Sequence, residues 1–147
     1  MTSIKEIISE IISALKADAD LKSFCVSNYG KDVYVDSGEM HVNDIPIKNI
    51  PVAMISDGYG EVEKKRFLYN ENEVNLLISC GIMQKDTTKA KDELISLKEL
   101  IKLALKKDPL LNEKATYSTI IKSKRIKHIP HPLYFMELTM YVNYKAV

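Results

Sequence analysis

The chain has 147 residues, of which 46% are hydrophobic and 28% charged. This composition excludes an intrinsically disordered chain and predicts a single domain over residues 1–147. The formal net charge of +1 argues against a dedicated nucleic-acid-binding protein, although the charge is uneven: −3 over 1–50, −2 over 51–100 and +6 over 101–147.

Two helices are predicted at the N-terminus. Ser3 and Glu6 form a capping-box pattern, and the apolar residues that follow recur at helical spacing, which predicts an amphipathic helix over 3–17. Asp20 is expected to cap a second, shorter helix, and Gly30 stands in the usual stop position.

Several strands are predicted between residues 33 and 84. A short strand is predicted at 33–35, followed by a turn at 36–39. Residues 52–56 are expected to form a buried strand. The heavily charged segment 61–73 is either a solvated loop or an exposed hairpin arm, and 73–84 alternate like a long strand with both sides partly covered.

A long helix is predicted next. It begins after Asp86, Thr87 or Thr88 and ends at Asp108-Pro109. Its lysines cluster towards the C-terminal end, where they complement the helix dipole. The buried face is expected to comprise Ala90, Leu94, Leu97, Ile101, Ala104 and Leu105.

The segment 117–129 is predicted to be a strand that is charged on both faces. Lys122 and Lys124 share one face, and Arg125 and Lys127 share the other. A strand of this kind is not expected in the middle of a sheet, so it is an edge strand or a projecting arm.

The C-terminal run 134–144 has the clearest strand alternation in the chain. With the preceding elements it predicts an α+β fold, in which a mostly antiparallel sheet packs against the N-terminal helix and the long central helix.

Residues that could carry chemistry are sparse. Cys25 and Cys80 lie in apolar settings and are expected to be reduced, buried thiols. His128 and His131 are expected to be water-facing loop residues, since no nearby side chains complete a metal site. Tyr59, between two glycines, is either a ligand-facing loop tip or part of a simple turn. We therefore expect no enzymatic activity, no cofactor and no metal.

Two uses of the basic segment remain open from the residues alone. The basic strand 122–127 could contact nucleic-acid phosphates, or its lysines could serve only to keep an edge strand soluble. Assembly is a third possibility, because an acidic N-terminal two-thirds and a basic C-terminal third could bind one another in identical subunits.

The chain resembles the tail terminator (tail completion) proteins of long-tailed bacteriophages and related phage-tail-like particles. The resemblance covers nearly the whole chain in element order and length. It is carried by the strand start Ile50-Pro51-Val52-Ala53-Met54-Ile55, by the Leu110-Leu111-Asn112 loop, and by the closing strand Tyr134-Phe135-Met136-Glu137-Leu138-Thr139-Met140-Tyr141-Val142-Asn143-Tyr144.

The resemblance implies a protein without an active site. Such proteins form a ring, commonly hexameric, that caps the head-proximal end of the tail tube, stops polymerisation and receives the head connector. The implied partners are further copies of the chain, the tube protein and the head-completion or connector protein, with DNA only as passing cargo and no membrane. The implied location is the host cytoplasm during assembly and then the virion tail.

The same resemblance, together with their charge, makes the segments 57–72 and 118–131 the expected contact elements. The candidate subunit or tube contacts are Tyr59, Glu61, Glu63, Lys64, Lys65, Arg66, Lys122, Lys124, Arg125 and Lys127.

Overall fold

A computed structural model describes residues 2–39, 49–57, 61–66 and 69–145, with the backbone alone for 61–66 and 69–71.

The first two helices are joined by a single residue. Helix α1 spans Ile4–Ala17 and helix α2 spans Ala19–Tyr29. The predicted capping box is confirmed: the Ser3 hydroxyl accepts from the Glu6 N–H at 3.3 Å, and the Glu6 carboxylate accepts from the Ser3 N–H at 3.2 Å.

The expectation for the start of α2 was wrong by two residues, because Asp18, not Asp20, precedes the helix. Asp18 makes no side-chain cap bond. Its carboxylate, which is 3% exposed, instead accepts a hydrogen bond from Lys107 Nζ at 2.9 Å. The α2 stop at Gly30 is confirmed, with φ of +75°, a left-handed conformation that glycine adopts without steric cost.

In the described part of the chain, six strands form one sheet. They are β1 (Tyr34–Ser37), β2 (Val52–Ser56), β3 (Glu61–Arg66), β4 (Tyr69–Met83), β5 (Tyr117–Ile126) and β6 (Leu133–Lys145). The order is β1-β2-β4-β6-β5, and β3 pairs with β4. Among the strand pairs that the structure describes, only β1–β2 is parallel, so the expected mostly antiparallel α+β fold is confirmed.

Two details of the first strands differ from expectation. Asp36 and Ser37 continue β1 instead of forming a turn, because they pair in register with Met54 and Ile55 of β2. The charged segment that begins at residue 61 is a hairpin arm, not a loop. In it β3 runs antiparallel to the first six residues of β4, from Arg66 opposite Tyr69 to Glu61 opposite Val74.

Helix α3, Thr87–Lys106, covers the sheet together with α1. Asp86 is the cap, and its carboxylate accepts from the N–H groups of Thr88 at 2.9 Å and Lys89 at 3.3 Å. All the residues predicted for the buried face of α3 are buried. They pack on alternate residues of β4 and β6, which form the main core: Val74, Leu76, Ile78, Cys80, Ile82, Leu138, Met140, Val142 and Tyr144.

The opposite face of the sheet carries no helix within the described ranges. A small apolar cluster lies at one end of it, where Phe135 packs with Ile50 and Val52. The rest of this helix-free face is mostly polar, and its side chains are half-buried, as at Glu73, Asn75, Ser79, Glu137, Tyr141 and Asn143. This face and the sheet edges leave polar side chains available for contacts with other molecules.

Candidate assembly surfaces

The edge strand β5 is the first candidate surface, because it ends the strand order and pairs only with β6 among the described strands. This confirms the expectation of an edge strand. Lys122, Lys124, Arg125 and Lys127 are all exposed, with Lys127 just past the strand's end. An edge that carries lysines resists non-specific strand addition while remaining open to an acidic partner.

A β-bulge sets the directions of these side chains. Ile120 pairs with Met140 and Lys122 with Thr139, so Ile121 is an extra residue in β5 and is 56% exposed. Because of this shift, Lys122 and Lys124 lie on the helix-free face, whereas Ile120 lies on the helix-covered face. The predicted separation of Lys122 and Lys124 from Arg125 is therefore confirmed.

The basic residues of β5 have different surroundings. The Lys124 ammonium lies 3.6 Å from Glu137 on β6. The Arg125 guanidinium lies over the Tyr134 ring, 5.4 Å from its centroid, and the Tyr134 hydroxyl is 3.1 Å from His131 Nδ1. Within the described residues, Lys122 and Lys127 have no ion-pair partner. These two residues therefore carry positive charge that is not neutralised within the described part of the chain.

Sequence reasoning missed the contribution of neighbouring aromatic residues to this surface. Tyr117, at the start of β5, is 53% exposed and lies 6.1 Å from the Tyr141 ring. Tyr134 holds Arg125 through a cation–π contact. Both contacts cross between strands, so they could be found only from the β5–β6 register.

The β3–β4 hairpin is the second candidate surface. It contains five predicted contact residues on one strand: Glu61, Glu63, Lys64, Lys65 and Arg66. Part of the hairpin extends past the end of β6, because the last β6 residue, Lys145, pairs with Glu71. The backbone therefore places Lys65 and Arg66 on the projecting part, opposite Asn70 and Tyr69. Tyr59 lies outside the described residues.

The third candidate surface is the other sheet edge, at β1, which sequence reasoning had not singled out. Asp32 and Asp36 are exposed there. Asp36 accepts from the Tyr34 hydroxyl at 3.1 Å and from the Ser37 N–H at 2.8 Å, and Asp32 accepts from the Val33 N–H at 2.7 Å. The only available sequence signal was the excess of acids in this segment.

The chemistry-bearing residues do not assemble into a metal site in the part of the chain that the structure describes. Burial raises the pKa of both Cys25 and Cys80 to about 12, so the thiols stay protonated and are poor nucleophiles. His128 and His131 are exposed, as expected. A cleft of about 380 Å³ between α3 and β5 is lined by Lys102, Lys106, Ser118, Thr119 and apolar residues.

No protein-family model matches the chain, and none of the curated proteins matches it. Among solved structures, 31 chains match. One of them belongs to the virion of a native gene transfer agent particle, with a TM-score of 0.55 and 11% sequence identity over 95% of this chain and 94% of that chain. The two chains share a fold. No described helix is both long and apolar enough to cross a membrane.

Proposed function

We propose that this chain is a structural protein of a phage-like particle. The observation that carries the proposal is the likeness of fold, over 95% of this chain, to a chain of a gene transfer agent virion. The location of the charged residues agrees with such a role, since exposed charges lie on the two sheet edges and further charged positions lie on the backbone of a hairpin.

Within the particle, we assign the chain the role of tail terminator. In this role a ring, hexameric by the family resemblance, binds the head-proximal end of the tail tube, stops polymerisation and joins the head-completion or connector protein. The sequence resemblance supports this assignment, and so do the two sheet edges of opposite charge. Several equivalent contacts around a ring add up to strong binding even where each contact is weak.

This role requires surface complementarity and no reaction. The chain is therefore proposed to be non-enzymatic and to need no cofactor, with DNA passing through the ring as cargo. It would assemble in the host cytoplasm and then remain in the virion tail, with no membrane contact.

The test is to remove the chain from the cells that make the particle and to measure tail lengths by electron microscopy. We expect tails of irregular, extended length that lack heads, and restoration of normal tails when the chain is supplied from a plasmid. Tails of normal length joined to heads in the absence of the chain would contradict the proposal.

A second candidate function is nucleic-acid binding through β5. It is favoured by the charges of Lys122 and Lys127, which have no ion-pair partner in the described residues, and by Arg125 held over Tyr134. It predicts binding to duplex DNA that falls by about tenfold or more between low and moderate salt. Binding that is absent, or that does not change with salt, would exclude this candidate.

A further inference from the structure

The two ends of the sheet are both open edges within the described residues. β1 pairs only with β2, and β5 pairs only with β6. The outer side of an edge strand presents N–H and C=O groups that can accept a strand from another chain. At β1 the outward-facing N–H groups of Val33 and Ser37 are bonded to the Asp32 and Asp36 carboxylates, so an incoming strand must displace these carboxylates.

The two edges carry opposite charge. Residues 117–127, which include β5, hold four basic residues and no acidic residue. Residues 31–39, which include β1, hold three acidic residues and one lysine. Two β5 edges would repel one another, as would two β1 edges, whereas β5 and β1 attract. The charges therefore favour a head-to-tail contact over a two-fold symmetric one.

The charged side chains also lie on the same face of the sheet. The pairing registers place Asp36, Met54, Ser79, Glu137 and Lys124 in one row across the five strands of the main order. Asp36 is at one end of this row and Lys124 at the other, both on the helix-free face. Side chains on neighbouring strands interact when they lie on the same face, so a β1 strand placed beside β5 would bring these charges together.

The Asp36 carboxylate can change partner on such a contact. It accepts from the Tyr34 hydroxyl and the Ser37 N–H, and the described residues supply no cation to it. A strand that takes over the Ser37 N–H would free this carboxylate to bind a cation on the incoming strand. Lys124 is already paired with Glu137 at 3.6 Å. Lys122, two residues away on the same face, has no such partner in the described chain and is the cation available to an incoming carboxylate.

We infer that β5 of one copy pairs with β1 of the next, with Lys122 facing Asp36, so that the sheet continues from subunit to subunit. The inference rests on the proposed function for its biological setting and specifies which surfaces build the ring. A head-to-tail contact of this kind closes into a ring when its rotation is an integral fraction of a turn.

The test uses charge reversal and native mass spectrometry of the full chain. One variant carries K122E and K127E, a second carries D32K and D36K, and a third carries all of these changes. We expect each edge variant to lose ring assembly, with about tenfold weaker association for each reversed contact. The two edge variants mixed together should form rings in which they alternate, because each contact then joins opposite charges, either the unaltered pair or the reversed pair. The third variant should regain rings on its own.

A matched control separates this result from a general effect of charge. Lys85 and Lys91 are exposed and belong to neither edge strand, since Lys85 precedes α3 and Lys91 lies within it, so K85E/K91E changes the net charge by the same amount as K122E/K127E and should still form rings. Rings in either edge variant, or no recovery in the combined variant while its circular dichroism spectrum matches that of the wild type, would overturn the inference.

The tail-length experiment keeps the two proposals distinguishable. If the edge variants still form rings and still restore normal tails, the edge contact is wrong and the terminator role stands. If the charge-reversal pattern is as expected but tails are normal without the chain, the edge contact is right and the terminator role is wrong. Loss of DNA binding without loss of rings in K122E/K127E would instead support the second candidate function.

Discussion

The two faces of the central sheet differ although the same strands build both. On the helix-covered face, Val74, Leu76, Ile78, Cys80 and Ile82 of β4 are at most 1% exposed. On the other face, the intervening residues from Glu73 to Ser79 are only half-buried. Apolar burial against α1 and α3 therefore stabilises the fold from one side.

Because of this difference, most residues that stabilise the fold are not the residues that other molecules could contact. A polar residue can be placed on the helix-free face or on a sheet edge without losing contacts in the main core. The same substitution on the helix-covered face would bury an unsatisfied polar group, at a cost of about 1–3 kcal/mol or more. Surfaces for assembly can thus vary while the core remains intact.

The largest effect is expected from the helix-covered face. Leu97 of α3 is fully buried, and Leu97→Ala should lower the free energy of unfolding by about 2–5 kcal/mol through lost burial and a cavity. Leu103→Ala on the same helix is the control, because Leu103 is 54% exposed. Urea denaturation measures both, and similar losses would contradict the assignment of the core to this side of α3.

A smaller effect is expected at one tightly packed point on the other face. A Cβ at position 81 would overlap the Phe135 ring on the neighbouring strand. Gly81→Ala should therefore destabilise the fold by about 1–3 kcal/mol.

The cause of that loss can be checked with a second substitution. Phe135→Leu in the Gly81→Ala background should recover part of the loss in thermal denaturation, since the two changes share one contact. Strictly additive losses would show that ring overlap is not the cause. Ser79→Ala, nearby on the same face, provides the matched control.

The smallest effect is expected from the polar contacts of the helix-free face. The Tyr141 hydroxyl donates to Glu73 Oε1 at 2.6 Å across β6 and β4. Tyr141→Phe should cost about 1 kcal/mol, because the half-buried carboxylate loses a donor. Tyr134→Phe, which loses a hydroxyl beside exposed His131, should cost less, and the reverse order would contradict this interpretation.

Local signals explain what the sequence could predict. The Ser3–Glu6 capping box, the stop at Gly30 and the buried face of α3 depend on residues within a few positions of each other. The alternation in β4 and β6 is equally local, so these strands were predicted to within a few residues of their bounds.

The remaining features depend on contacts between distant residues. Asp18 makes no cap bond to α2 because Lys107, 89 positions away, binds its carboxylate. Ser37 belongs to β1 only because β2 lies beside it. In the candidate surfaces, Lys124–Glu137 and Arg125–Tyr134 follow from the β5–β6 register, which no local pattern reveals. The side-chain roles predicted for Glu61, Glu63, Lys64, Lys65 and Arg66 stay predictions.

The extra residue in β5 has a consequence for recognising related chains. In residues 117–120 the even-numbered side chains lie on the helix-covered face of the sheet, whereas in residues 122–126 the odd-numbered side chains do, because Ile121 is an extra residue. A relative that lacks the bulge would carry its apolar and basic positions in a single frame, and an ungapped comparison would set its lysines against core-facing positions. An alignment with such a relative therefore requires a one-residue gap at position 121 before the charge patterns of the two strands can be compared.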